Sequence, residues 1–168
     1  MVLWPDGSWP IEILSGPQFL MVDPVYAAPL PAKDVDVVTY FGAGIDHSFA
    51  HAVADVLSEH GLGLFVPAKP ILPSGQWAQV MRRARLFVGS VGMAMYEAIA
   101  GGAVPVLVSV DEDHRQSAER IGLEAPLWTE TTPEALVARI HWDKWRTPCV
   151  VDGQGVWRVA KAVEEVLC

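Results

Sequence analysis

The stretch LFVGSVGMAMYEAIAGGAVPVLVSVDEDHRQ, residues 86–116, decides the fold. Residues 86–88 form an apolar run with the character of a buried strand. Gly89, Ser90, Val91 and Gly92 predict a tight turn, and residues 93–100 a helix that is apolar almost all round. Gly101 and Gly102 end that helix, and residues 103–110 read as a second buried strand. An acidic loop and a further helix start close the stretch. The predicted helix carries one charge, Glu97. An ionised carboxylate in such surroundings is costly unless something hydrogen-bonds it. Either Glu97 is solvated at the rim, or it accepts hydrogen bonds from a pair of ligand hydroxyls.

The preceding turn favours the second reading. Backbone N–H groups at a helix start lack intrahelical acceptors and carry partial positive charge. Glycines at 89 and 92 allow a ligand to approach the backbone. Phosphate at the turn with ribose at Glu97 describes a nucleotide site. The competing reading is a glycine turn serving only to connect strand and helix.

Outward from this stretch, apolar runs alternate with amphipathic ones. Residues 36–41 (DVVTYF) predict the first strand, running into Gly42-Ala43-Gly44-Ile45-Asp46. A helix is expected over 47–59, with Phe49, Val53 and Leu57 on its buried face and Gly61 as its stop. A strand over 63–66, a loop over 67–75 and a helix over 76–83, entered from Ser74, lead back to residue 86. Beyond it, Asp113 with Gln116 three residues on has the pattern of a capping box, for a helix ending at Gly122. Leu127 and Trp128 suggest a short strand. Thr132-Pro133 opens a helix to about residue 140, and a loop with Trp142 and Trp145 follows. The last helix, about 153–167, is expected to bury Val156, Val159, Val163 and Val166. Strands and helices alternating at this interval predict an α/β fold: one Rossmann-like, doubly wound parallel sheet with helices on both faces. Residues 1–31 differ. Six prolines recur there, forbidding a long helix, and only 11–14 suggest a strand. This is an arm or interdomain connector, and 32–168 is the domain. Ligands of such sheets sit beyond the carboxyl ends of the strands. The turns at 42–46, 89–92 and 110–116 all follow strand ends and so line one edge.

The chain has 168 residues, just over half of them hydrophobic, enough for one domain with a real core. A net charge of −8 argues against a nucleic-acid surface. It leaves room for a nucleotide, since backbone amides hold phosphate without bulk positive charge. Cys149 and Cys168 are too few for a disulfide framework and are expected to be reduced. No apolar run approaches the ~18 residues of a spanning helix, and the first residues do not pair a basic with an apolar region. A cytoplasmic location is expected.

Several motifs fail on inspection. Gly42-Ala43-Gly44 invites a dinucleotide fingerprint, but His47 stands where the third glycine belongs, and no acidic residue ends the second strand. The residue two before Ser90 is Val88, so this is not a nucleophile elbow. No Walker pattern occurs. His47, His51 and Asp55 share one helix face, a metal stripe or a solvated polar face; neither metal nor cofactor is expected. Asp46 as a phosphoacceptor would need an acidic pair at the first strand end, which is missing. His114 either contacts phosphate or base at the ligand edge or is a solvated helix-start residue. The tryptophans read as core or rim packing.

The central stretch resembles the nucleotide-binding half of the GT-B superfamily, in which an aliphatic strand, a Gly/Ser turn, a helix bearing glutamate, a Pro/Val-rich strand and a loop ending in glutamine follow in order. It is most similar to the UDP-sugar hydrolases of pseudaminic acid biosynthesis and spore coat polysaccharide biosynthesis protein G. ILSGPQFLMVDPVY (11–26) resembles that family's interdomain connector, with Ser15 interrupting its Leu-Gly-Pro core. YFGAGIDHS (40–48) resembles its glycine-rich strand end, with Ala43 as a substitution. VDGQGVWRVAKAV (151–163) resembles its closing Asp-Gly-x-Gly-x-x-Arg helix.

The resemblance implies that backbone amides of Gly89, Ser90, Val91 and Gly92 hold a diphosphate and that Glu97 binds the ribose hydroxyls. Gly44 and Asp46 would face the cleft, His114 and Gln116 would border sugar or phosphate, and uracil would lie near residues 69–72. UDP or a UDP-sugar is the implied ligand. Family members carry an amino-terminal half with the catalytic histidine before the connector. This chain starts just short of the connector, so the general base is expected elsewhere, on a separate amino-terminal-half chain or a longer parent. The expected function is then the nucleotide-sugar half of a UDP-sugar hydrolase or glycosyltransferase of surface or spore-coat polysaccharide synthesis. The alternative is a non-catalytic nucleotide-sugar-binding or interaction module working with a partner chain.

Overall fold

A computed structural model describes residues 17–65, 73–140 and 151–167. The strand expected over 11–14, the loop at 69–72, Trp142, Trp145 and both cysteines lie outside the described residues. The elements are β1 (Val35–Tyr40), α1 (His47–Glu59), β2 (Leu64–Phe65), α2 (Ser74–Arg83), β3 (Ala84–Ser90), α3 (Met93–Ala100), β4 (Val104–Val108), α4 (Glu112–Glu119), α5 (Pro133–Val137) and α6 (Gly155–Leu167). Two 3-10 turns, Pro17–Phe19 and Pro24–Ala27, precede β1.

The four strands form one sheet in the order β2-β1-β3-β4, every pair parallel. The register places Tyr40 opposite Gly89 and Gly89 opposite Leu107. Val37, Val38 and Thr39 are all buried, as expected of a strand covered on both faces. On one face Val37, Leu86, Val88, Val106 and Val108 pack with Phe49, Val53 and Leu57 of α1 and with Leu136 and Val137 of α5. On the other, Val38, Phe87 and Leu107 pack with Trp77 and Met81 of α2 and with Met95, Ala98 and Ile99 of α3. The fold is thus α/β, a parallel sheet flanked by helices.

α1 forms where its residues predict. Asp46 caps it, its Oδ1 accepting from the Ser48 N–H at 2.7 Å, and Gly61 ends it at φ +74°. The stripe of His47, His51 and Asp55 is exposed, and no cluster suited to a metal ion occurs among the described residues. Nor is any described helix long and apolar enough to cross a membrane.

Four expectations need correction. Gly89 and Ser90 belong to β3, so the turn is only Val91 and Gly92. Asp111, not Asp113, caps α4: its Oδ1 accepts from the His114 N–H at 2.9 Å. Leu127 makes a single parallel bridge to Ser109 and Trp128 opens a 3-10 turn, so no strand forms there. Finally, Val156 and Val163 of α6 are 37% and 50% exposed rather than buried. That helix leans on the first 3-10 turn rather than on the sheet, so its apolar stripe has little to cover it. Val159 is half-buried, and the side chain of Val166 lies outside the described residues.

The described part of the proline-rich arm, residues 17–31, packs against the α/β fold. Val22 and Tyr26 are buried in the α2–α3 core, and the Arg82 guanidinium donates to the carbonyls of Ala28 and Pro29. A Cβ on Gly155 would lie 2.0 Å from the Leu20 carbonyl oxygen, and one on Gly153 (φ +71°) 2.5 Å from the Ala27 nitrogen. Arg158 forks onto Asp152 at 2.7 and 2.5 Å and donates to the Gln18 carbonyl at 2.8 Å. The Asp-Gly-x-Gly-x-x-Arg stretch is a clasp that holds the arm against α6.

Candidate functional site

The chain leaves β1 toward β2 on one side and later enters β3 on the other. The strand order therefore reverses between β1 and β3, and a crevice opens beyond their carboxyl ends, where ligands of open α/β sheets bind. The loop after β1 and the end of β3 meet there. The Gly42 N–H donates to the Ser90 hydroxyl at 3.0 Å.

The glycines of this edge have different reasons to be glycine. A Cβ on Gly89 would lie 2.1 Å from the Tyr40 carbonyl oxygen and 2.8 Å from the Phe87 ring, so Gly89 lets β1 and β3 pair. A Cβ on Gly44 would meet the Val110 side chain at 2.5 Å, so Gly44 fits the loop after β1 against the end of β4. Gly92 differs. Its backbone is extended, and a Cβ there would meet nothing within 4 Å. It precedes α3, whose first amides, on Met93 and Ala94, point out of the helix without intrahelical acceptors. The Val91 N–H already donates to the Val108 carbonyl at 3.0 Å, and Ser90 and Val91 are buried. The open approach to backbone amides is thus at residues 92–94.

Glu97 lies five residues after Gly92, about 7.5 Å along the helix axis. It is half-buried. Its Oε2 accepts from the Trp77 indole N–H of α2 at 2.8 Å. Burial pushes its pKa up, the Trp77 bond opposes this, and the charge of Asp23 adds to the rise. Trp77 is buried and meets the Tyr40 ring edge-on, centroids 5.5 Å apart. Beneath lies Tyr26, 3% exposed, whose hydroxyl has no hydrogen-bond partner among the described residues. Burial, then the charge of Glu97, drives the Tyr26 pKa well above the usual phenol range.

The remaining expected site residues have local partners. Asp46 is exposed and caps α1, its Oδ1 also accepting from the Ser48 hydroxyl at 2.6 Å. The His114 ring Nδ1 lies 2.6 Å from Asp111 Oδ1. The Gln116 amide donates to Glu112 at 3.1 Å, and Arg115 forks onto the same carboxylate at 2.8 and 2.7 Å. Gly42, Ser90, Gly92 and Glu97 therefore gather around the ends of β1 and β3. Asp46 caps α1, and His114 and Gln116 lie on α4, the helices that follow β1 and β4. A cavity of about 460 Å³ between α1 and α5 is lined by Asp55, Glu59, His60 and Glu134. It lies toward the far end of α1 from the strand-end loops, and its acidic lining suits no phosphate.

Residue reading missed Trp77 and Tyr26. Neither carries a spacing signal: Trp77 sits in an amphipathic helix as any core tryptophan would, and Tyr26 lies among prolines. Comparison with protein-family models and with curated proteins finds no match for this chain.

Proposed function

We propose that this chain binds a nucleotide sugar, with UDP as the nucleotide, as the nucleotide-binding half of a GT-B-type UDP-sugar hydrolase or glycosyltransferase. The observation that carries the reading is Glu97: a half-buried carboxylate without a paired cation among the described residues, on the helix that starts at the strand-order reversal. Its oxygen Oε1, which takes no hydrogen bond from the described residues, suits a ribose diol one to two turns from amides suited to phosphate. Those amides and the α3 dipole would stabilise the negative charge that UDP gains as a leaving group. The proposed roles of Gly92, Glu97, Gly44, Asp46, His114 and Gln116 stay within binding. The base that activates water or an acceptor is not among them.

Titration calorimetry with UDP, with UMP and ADP as controls, tests this on the wild type and on Glu97→Ala. Preferential UDP binding, weakened by about 1–3 kcal/mol in the variant, is expected for the loss of charge-assisted hydrogen bonds. Wild-type protein indifferent to all three nucleotides would sink the reading.

One observation favours a second reading, a module that works against a partner chain. Trp157, Val156 and Val163 on α6 and Met21 on the arm leave apolar surface exposed, as interaction surfaces do.

A further inference from the structure

We infer that Trp77 is a positioning residue for the ribose site: its indole N–H fixes the Glu97 carboxylate so that it meets the two hydroxyls of a ribose together. The inference rests on the nucleotide reading above and names the residue that makes its ribose contact selective.

The geometry is specific. The indole nitrogen reaches across from α2 to Oε2 of Glu97 on α3 at 2.8 Å. The ring is 6% exposed and edge-on to Tyr40 at 62°, so packing fixes the direction of its N–H. A buried indole N–H needs an acceptor, and a half-buried carboxylate needs a donor; each meets the other's requirement. No cation acts on Glu97 among the described residues, and the nearby charge, Asp23, has the same sign. The indole is therefore what orients the carboxylate. With one lone pair of Oε2 engaged by the indole, Oε1 and the second lone pair of Oε2 are the acceptors left to a ligand among the described residues. A carboxylate held this way accepts two hydroxyls at once, the pattern of a 2′,3′-diol. A carboxylate free to rotate, or protonated, accepts one.

The discriminating quantity is the preference for UDP over 2′-deoxy-UDP, measured by calorimetry on wild type, W77F and E97Q. Wild type is expected to prefer UDP by about tenfold or more, since a site built around a hydroxyl rejects the analogue lacking it. W77F is expected to lose most of that preference while binding 2′-deoxy-UDP within about twofold of wild type, because only the diol contact is disturbed. E97Q should lose it as well. If W77F keeps the wild-type ratio, or loses both nucleotides equally, the positioning role is overturned and Trp77 is packing alone. If wild type binds neither nucleotide, the nucleotide reading fails and takes this inference with it, an outcome distinct from the first two. Should W77F not fold, the indole ¹⁵N–¹H resonance of Trp77 in wild type decides. It is expected to shift on adding UDP and to shift less with 2′-deoxy-UDP. A resonance unmoved by bound UDP overturns the inference.

Discussion

Two glycines three residues apart separate what the sheet needs from what a ligand needs. In Gly89→Ala the new methyl would lie 2.1 Å from the Tyr40 carbonyl oxygen and 2.8 Å from the Phe87 ring. Normal contact needs about 3.5 Å, so β1 and β3 must part by over an ångström where Tyr40 pairs with Gly89. Overpacking of this kind, with ladder hydrogen bonds strained, costs roughly 3 kcal/mol. With a urea dependence of about 2 kcal/mol per molar, the midpoint falls by about 1.5 M. In Gly92→Ala the methyl enters open space on extended backbone. Only the helix start is affected, at under about 1 kcal/mol. If phosphate lies against the amides at 92–94, that same methyl occupies its approach, and UDP affinity falls by about tenfold or more. Urea unfolding and calorimetry on both variants complete the test. Gly92→Ala with wild-type UDP affinity would refute the placement of phosphate at α3, and Gly89→Ala with wild-type stability would refute the packing account of β3.

Two further outcomes are expected elsewhere in the fold. Gly155→Ala places a methyl 2.0 Å from the Leu20 carbonyl oxygen, so the arm should part from α6. Limited proteolysis should then cut near residues 17–30 faster than in wild type, and equal resistance would mean that the clasp is not what holds the arm. The Lys33 amine, which donates to the Gly101 carbonyl, is pushed down to about 8 by burial and then by Arg82. Between pH 8 and 10.5 the unfolded chain binds more protons at this residue than the folded one, so its contribution to stability rises with pH across that window. The stability difference between wild type and Lys33→Met, followed by urea midpoints at pH 7.5 and 10, should shift in favour of wild type; a flat difference would show that Lys33 keeps an ordinary amine.

Legibility in the sequence followed how local the deciding interaction is. α1 and α3 have the bounds that their own residues predict, because Asp46, Gly61 and Gly101 act within a turn of each end. The parallel sheet followed from the alternation of apolar runs. Gly89 and Ser90 were harder. A glycine in a turn and a glycine that lets two strands meet look alike, and the atom that decides, the Tyr40 carbonyl oxygen, is distant in the chain. At α4, three consecutive acids each offer a cap, and only the backbone selects Asp111. An apolar stripe on α6 predicts burial only where something lies over it. At the site, Glu97 stood out as the lone charge of an apolar helix, whereas its partner Trp77 is legible only once α2 and α3 are packed together.

The proposed role of Glu97 as a ligand contact, rather than a structural carboxylate, predicts a particular effect on stability. A structural carboxylate in a core is paired with a cation, and breaking that pair is destabilising. Glu97 has a neutral indole donor, a like-charged Asp23 nearby, and a pKa raised first by burial. The folded state thus binds more protons here than the unfolded one as pH rises through and above the ordinary glutamate range. Stability from this group is present at low pH and is lost as pH climbs through the raised pKa. Once ionised, above that raised pKa, the side chain is therefore a liability to the free protein. Glu97→Gln keeps an oxygen for the Trp77 N–H and removes the charge. It should raise the urea midpoint at pH 7, leave it close to wild type at pH 4, and lose UDP affinity. That combination, a gain in stability with a loss of binding, marks a residue kept for a ligand. A variant less stable than wild type at pH 7 would instead assign the carboxylate to the core, and the case for ribose at this position would fall with it.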